Sequence, residues 1–142
     1  DLPHSVLCAI LQHHERDDGS GYPLKVTAEK IHPFAKIVAI ADIYDAITSE
    51  TVYRKKRTPF EAAEAVLKDM YDKLDPNICS VFLNNIRDYF IGNIVELSDG
   101  REAEVVYLGK YVSARPVVRT DDGEFIDLEK KKDLGIIKLV KA

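Results

Sequence analysis

The chain has 142 residues, 46% of them hydrophobic and 31% charged, with a formal net charge of −4. This is ordinary globular usage for one domain or two small ones, with no apolar run long enough to span a membrane and no charged-then-apolar leader. The acidic balance argues against binding polymeric nucleic acid by bulk charge, and Cys8 and Cys79, both in apolar helical segments, point to buried thiols in the cytoplasm rather than a disulfide.

The first element is a helix carrying Val6, Leu7, Ile10 and Leu11, closed by His13 and His14. A lone His on an apolar segment is normally a core residue. A His pair followed by Glu-Arg-Asp-Asp-Gly-Ser-Gly-Tyr-Pro points instead to metal-ligand chemistry beside a loop. Neighbouring helical residues point about 100° apart, so His13 and His14 suit two ions better than one. Two metals about 3.5–4 Å apart can activate a water and steady both oxygens of a phosphoryl displacement. Gly19 and Gly21 permit positive φ and close backbone approach, and Pro23 fixes the exit, so the loop can lie over a substrate.

Pro33 opens a second helix, in which Phe34, Ile37, Val38, Ala41, Tyr44 and Ile47 form an apolar stripe. Asp42 sits beside the stripe and Asp45 lies nearly one turn on. Two like charges there are costly unless a cation joins them, or unless they lie on a helix start or a solvated face. Next comes Tyr53-Arg54-Lys55-Lys56-Arg57, either solvated surface or a place to hold a phosphodiester. Thr58-Pro59-Phe60-Glu61 reads as a capping box opening a third helix, and Asp75-Pro76 starts a fourth with Ile78, Val81, Phe82, Ile86 and Tyr89 as its stripe.

At Ile91-Gly92-Asn93 the pattern turns to alternation. Five short strands follow, near 94–98, 102–107, 116–119, 124–128 and 136–140, with tight turns at Ser98-Asp99-Gly100 and Asp121-Asp122-Gly123. The expected architecture is therefore mainly α: a helical unit over residues 1–90, then a small antiparallel β-barrel or curled sheet over 91–142. The sheet should pack on the last helix through Tyr89, Phe90 and Ile91. Its arginines, Arg115 and Arg119, could touch a ligand phosphate or serve packing and interaction.

Together the two polar segments strongly resemble the signatures of the HD-GYP family, a branch of the HD superfamily of metal-dependent phosphohydrolases. The family string HHExxDGxGYP is matched by His13, His14, Glu15, Asp18, Gly19, Gly21, Tyr22 and Pro23. The string AD-x-[YF]-DA-[LMI]-T is matched by Ala41, Asp42, Tyr44, Asp45, Ala46 and Thr48. The resemblance implies hydrolysis of cyclic di-GMP by a divalent-metal centre of two or three ions, iron or manganese. It assigns His13, His14 and Asp42 as metal ligands, Asp45 to catalysis, and Gly21, Tyr22, Tyr53 and Arg54 to the substrate. Where the family commonly carries an Arg nine residues after the ligand Asp, this chain has Thr51, which leaves Arg54 as the main phosphate anchor and Lys55 or Lys56 as substitutes.

The family's HD dyad and catalytic Lys precede the GYP loop by more than the twelve residues available here. The chain is thus expected to be the C-terminal part of a longer phosphodiesterase, inactive alone, with the front half of the domain as its partner, and to form a homodimer. Two other readings stand beside catalysis: a degenerate module that binds nucleotide or a partner without hydrolysis, and a dimerising structural unit.

Overall fold

The computed structural model describes all of residues 1–142. In chain order it has α1 (His4–Gln12), a 3-10 turn (Ala28–Lys30), α2 (Pro33–Thr48), α3 (Pro59–Asp69), α4 (Pro76–Arg87) and a second 3-10 turn (Asp88–Phe90). Five strands follow: β1 (Ile94–Leu97), β2 (Glu102–Tyr107), β3 (Val117–Thr120), β4 (Phe125–Asp127) and β5 (Ile136–Lys141).

The helices begin where local chemistry satisfies their free N–H groups. Each of α2, α3 and α4 has Pro in its first turn, where no donor is lost. Before each Pro stands an acceptor: His32 Nδ1 takes the Phe34 N–H at 3.0 Å, and Asp75 Oδ1 takes that of Ile78 at 3.0 Å. At α3 the expected capping box is complete, with Thr58 Oγ1 accepting from Glu61 N and Glu61 Oε2 accepting from Thr58 N.

The strands form one antiparallel sheet in the order β4-β3-β2-β1-β5. Register puts the small and branched residues on one face: Val95 pairs with Ala103, Val105 with Val118, and Val118 with Ile126. These residues, with Leu97, Leu128, Phe60 and Phe90, make the first core. The second core is Ile40, Val66, Met70, Leu74, Cys79 and Leu83, inside the helical layer. Ala63 on α3 and Ile86 on α4 pack against both.

Three expectations are corrected. The chain is mixed α/β rather than mainly α, because the sheet organises a core as substantial as that of the helices. Nor do the strands close into a barrel: β4 and β5 lie at opposite edges, and β4 has only three residues. The seam between layers is also narrower than Tyr89, Phe90 and Ile91 suggested. Phe90 alone is buried, its ring 4.5 Å from that of Phe60, while Tyr89 and Ile91 face solvent.

The face of α2 is reversed from the reading of its stripe. Ala35, Ala39 and Ile40 are buried, whereas Phe34, Ile37 and Val38 are exposed beside the exposed Ile10 of α1. Small Ala side chains let α2 lie close to its neighbours, so a second, bulkier apolar face remains open. Both cysteines are free; Cys79 is buried and its thiol is pushed up to about 12, chiefly by desolvation, but Cys8 is only half-buried.

Candidate metal centre and substrate loop

α1 ends at the His pair, and His13 takes the C-cap position in right-handed helical conformation. Its Nδ1 lies 2.8 Å from the Ile10 carbonyl oxygen. A carbonyl only accepts, so Nδ1 is the donor there and Nε2 is the ring nitrogen left to face a metal. The neighbouring His14 ring stacks on Tyr22, with centroids 4.8 Å apart and planes 19° apart. Both imidazoles are thus oriented by the chain itself.

From α2, Asp42 completes a cluster: the ligand atoms of His13, His14 and Asp42 all lie within 4.8 Å of one another. Two imidazoles and one carboxylate are a donor set that suits a first-row divalent ion. Asp42 is exposed, so no desolvation cost demands a cation beside it, contrary to the argument from the apolar stripe. Convergence of donors from two helices is the feature that points to metal.

The loop between the helices is built around a buried carboxylate. Glu15 is 2% exposed; its Oε1 accepts N–H groups from Leu24 at 2.5 Å and Lys25 at 3.2 Å, and its Oε2 accepts that of Val26 at 3.2 Å. Three amides satisfy the charge and curl the chain back, with Lys25 at φ 55°. Gly21 lies against α1's exit so closely that a Cβ would stand 2.3 Å from the His14 oxygen and 2.6 Å from the Arg16 nitrogen. The Tyr22 N–H donates to that same His14 oxygen at 3.2 Å, and the Tyr22-Pro23 bond is cis.

A clamp fixes the loop from behind. Lys36 Nζ on α2 lies 3.8 Å from Asp17 Oδ1 and donates to Asp75 Oδ2 at 3.4 Å, all three side chains being largely shielded. Asp17 N also donates to the Lys73 oxygen at 2.8 Å. Burial raises the Asp17 pKa, opposed by Lys36. At Asp75 burial pushes upward too, but the Ile78 amide and Lys36 together outweigh it and the net shift is downward. Gln12 adds a tie, accepting from His32 N and donating to the Lys30 oxygen.

The other anticipated residues stand apart from the donor cluster. Asp45 accepts from Ser49 Oγ at 3.1 Å on the exposed side of α2. Thr51 and Arg54 pair through both backbone bonds into a tight turn with Val52 and Tyr53 exposed at its tip. Arg54, Lys55 and Lys56 make no ion pair, whereas Arg57 pairs with Glu61. Sequence reasoning missed the roles of Glu15 and Lys36. A signal for Lys36 existed: it is the one cation in the sixteen residues of α2.

Comparison with known proteins gives a family. An HD domain model matches residues 2–78. A cyclic di-GMP phosphodiesterase of Pseudomonas aeruginosa is 38% identical over 98 residues, covering 68% of this chain and 23% of that protein. The cyclic di-GMP phosphodiesterase PdeB of Borreliella burgdorferi is 27% identical over 139 residues, 96% of this chain and 37% of that protein. A 3′3′-cGAMP-specific phosphodiesterase of Vibrio cholerae is 33% identical over 94 residues, 65% and 22% of the two chains. This chain therefore spans less than two fifths of the length of these relatives. No helix is long and apolar enough to cross a membrane. With the His-His-Glu, Gly-Tyr-Pro and Ala-Asp segments all inside the matched stretch, the chain belongs to the HD domain family, in its HD-GYP branch.

Proposed function

We propose that the chain supplies part of the active centre of a metal-dependent cyclic di-GMP phosphodiesterase. The observation that carries this reading is the convergence of His13, His14 and Asp42 beside the Gly21-Tyr22 loop, in a chain whose relatives are named for that hydrolysis. His13 would bind through Nε2, with Nδ1 donating to the Ile10 carbonyl, and His14 would be aligned by its stack on Tyr22. A divalent ion, iron or manganese in a centre of two or three, would polarise a phosphodiester oxygen and activate a water.

The chain's own groups then divide the remaining work. Gly21 and Tyr22 border the substrate, with the Gly keeping the backbone close enough to leave room. Asp45, one turn beyond Asp42, is the candidate for handling a proton on the water. Tyr53 and Arg54 lie on an exposed turn, where a guanidinium without an acidic partner is free to meet a phosphodiester charge. The front half of the domain would complete the ligand set in the full-length protein, a homodimer in this reading.

The test is metal content and turnover in the full-length protein. His13→Ala and Asp42→Ala should each lose bound metal, measured by mass spectrometry, and most cyclic di-GMP hydrolysis, while keeping helical circular dichroism. Unchanged metal content in both variants would remove these residues from the centre. Binding of cyclic di-GMP without turnover by the metal-loaded wild type would favour the degenerate module instead.

A further inference from the structure

We propose that the cavity between the helical layer and the sheet is a second binding site, for a small amphipathic anion such as a carboxylate on a short acyl chain or single aromatic ring. Its volume is about 410 Å³, and eleven of its nineteen lining residues are hydrophobic. That lies within the roughly 300–1,000 Å³ range of small-molecule sites and far above the ~30 Å³ of one water. Leu67, Leu83 and Ile86 form the helical wall, while Leu128 and Ile136 form the sheet wall.

The charge argument selects the anion. Two half-buried guanidiniums line the cavity, and neither forms an ion pair. Arg87 Nη2 donates to the Gly109 carbonyl, and Arg115 donates from Nη1 to Leu128 O at 2.8 Å and from Nη2 to Leu134 O at 2.5 Å. A carbonyl satisfies a donor without neutralising its charge. The carboxylates at the cavity are committed or solvated: Glu61 meets the Thr58 amide and Arg57, Glu129 meets the Arg115 amide and Lys132, and Glu64 is exposed. With its two guanidiniums meeting only carbonyls, and its three carboxylates held by other groups or exposed to water, the apolar chamber favours a ligand with an apolar body and one negative group.

The site is independent of the phosphodiester reading, since it lies across α3 and α4 and shares none of the metal cluster's residues. Calorimetric titration of the full-length protein with octanoate tests it, with octyltrimethylammonium as the cationic control. Octanoate should bind saturably and the control at least tenfold more weakly. Arg87→Gln should weaken octanoate about ten- to a hundredfold, as loss of one charge-assisted bond does. Ser113→Phe, from an exposed rim position, should plug the cavity and abolish binding; should Arg87→Gln fail to fold, this variant decides. Phe34→Ser, on the open face of α2, should change nothing. Absence of saturable octanoate binding, equal binding of the cation, full affinity in Ser113→Phe, or loss in Phe34→Ser would each overturn the proposal.

Discussion

Replacing Lys36 by Met isolates the clamp behind the loop that carries Gly21 and Tyr22. The substitution keeps an unbranched apolar stem of similar length and removes only the ammonium that stands 3.4 Å from Asp75 and 3.8 Å from Asp17. Exposed ion pairs contribute about 0–1 kcal/mol and breaking a fully buried pair costs about 3–5 kcal/mol. The clamp lies between these limits, with side chains 14–22% exposed, so its loss should cost about 2 kcal/mol after allowing for solvent screening. At roughly 2 cal/mol/K of unfolding entropy per residue, that lowers Tm by about 7 °C. The assay is thermal unfolding by circular dichroism at neutral pH. Asp17→Asn added to Lys36→Met should return part of the loss, because it removes a stranded carboxylate that also repels Asp75. A Tm for Lys36→Met within 1–2 °C of wild type, at a clamp judged worth about 2 kcal/mol, or strict additivity of the two substitutions, would refute the reasoning.

Gly21→Ala should unfold the loop at a cost of about 2–4 kcal/mol, read as a fall in Tm, since the added carbon meets three backbone atoms at 2.3–2.6 Å. The acid limb of stability should depend on Asp75: its lowered pKa favours folding above the ordinary value of 3.8, and that contribution is lost as pH falls below it. Asp17 has the opposite sign, its raised pKa favouring the fold below 3.8 and losing that advantage as pH rises through the raised value. The fall in stability from pH 5 toward pH 2.5, read by urea unfolding, should therefore be smaller in Asp75→Asn than in wild type, or reversed in sign by Asp17. Thr51→Arg, at an exposed turn, should tighten cyclic di-GMP binding in the full-length protein by about ten- to a hundredfold in calorimetry.

Element boundaries were legible because they rest on local chemistry. Thr58 with Glu61, Asp75 before Pro76, and the glycines at positions 100 and 123 act within four residues of themselves, and the structure places helices and turns there. The orientation of α2 was not legible. It is apolar on more than one side, and the choice between Ala35-Ala39-Ile40 and Phe34-Ile37-Val38 is made by how closely neighbours can approach. Barrel closure failed to follow from strand count for a similar reason, since alternation specifies faces but not whether β4 and β5 meet. At the candidate site, His13, His14 and Asp42 stand out in the sequence by type, and the structure brings their ligand atoms within 4.8 Å of one another. The Glu15 carboxylate's three amide partners and the Lys36 clamp instead depend on a chain path that no short pattern encodes.

Helix α3 is a party wall: Phe60 near its start belongs to the sheet's core, and Val66, under two turns on, belongs to the other. Neither room can be demolished without opening the next. A chain shortened at residue 90 would bare the Phe60 and Phe90 rings, each worth about 1.5–3 kcal/mol of burial, and would loosen the helix that backs Ile40 and the α2 that carries Asp42. The strands, remote from the histidines, thereby act as ballast for them, and damage to the sheet should surface first as imprecision at His13 and Asp42.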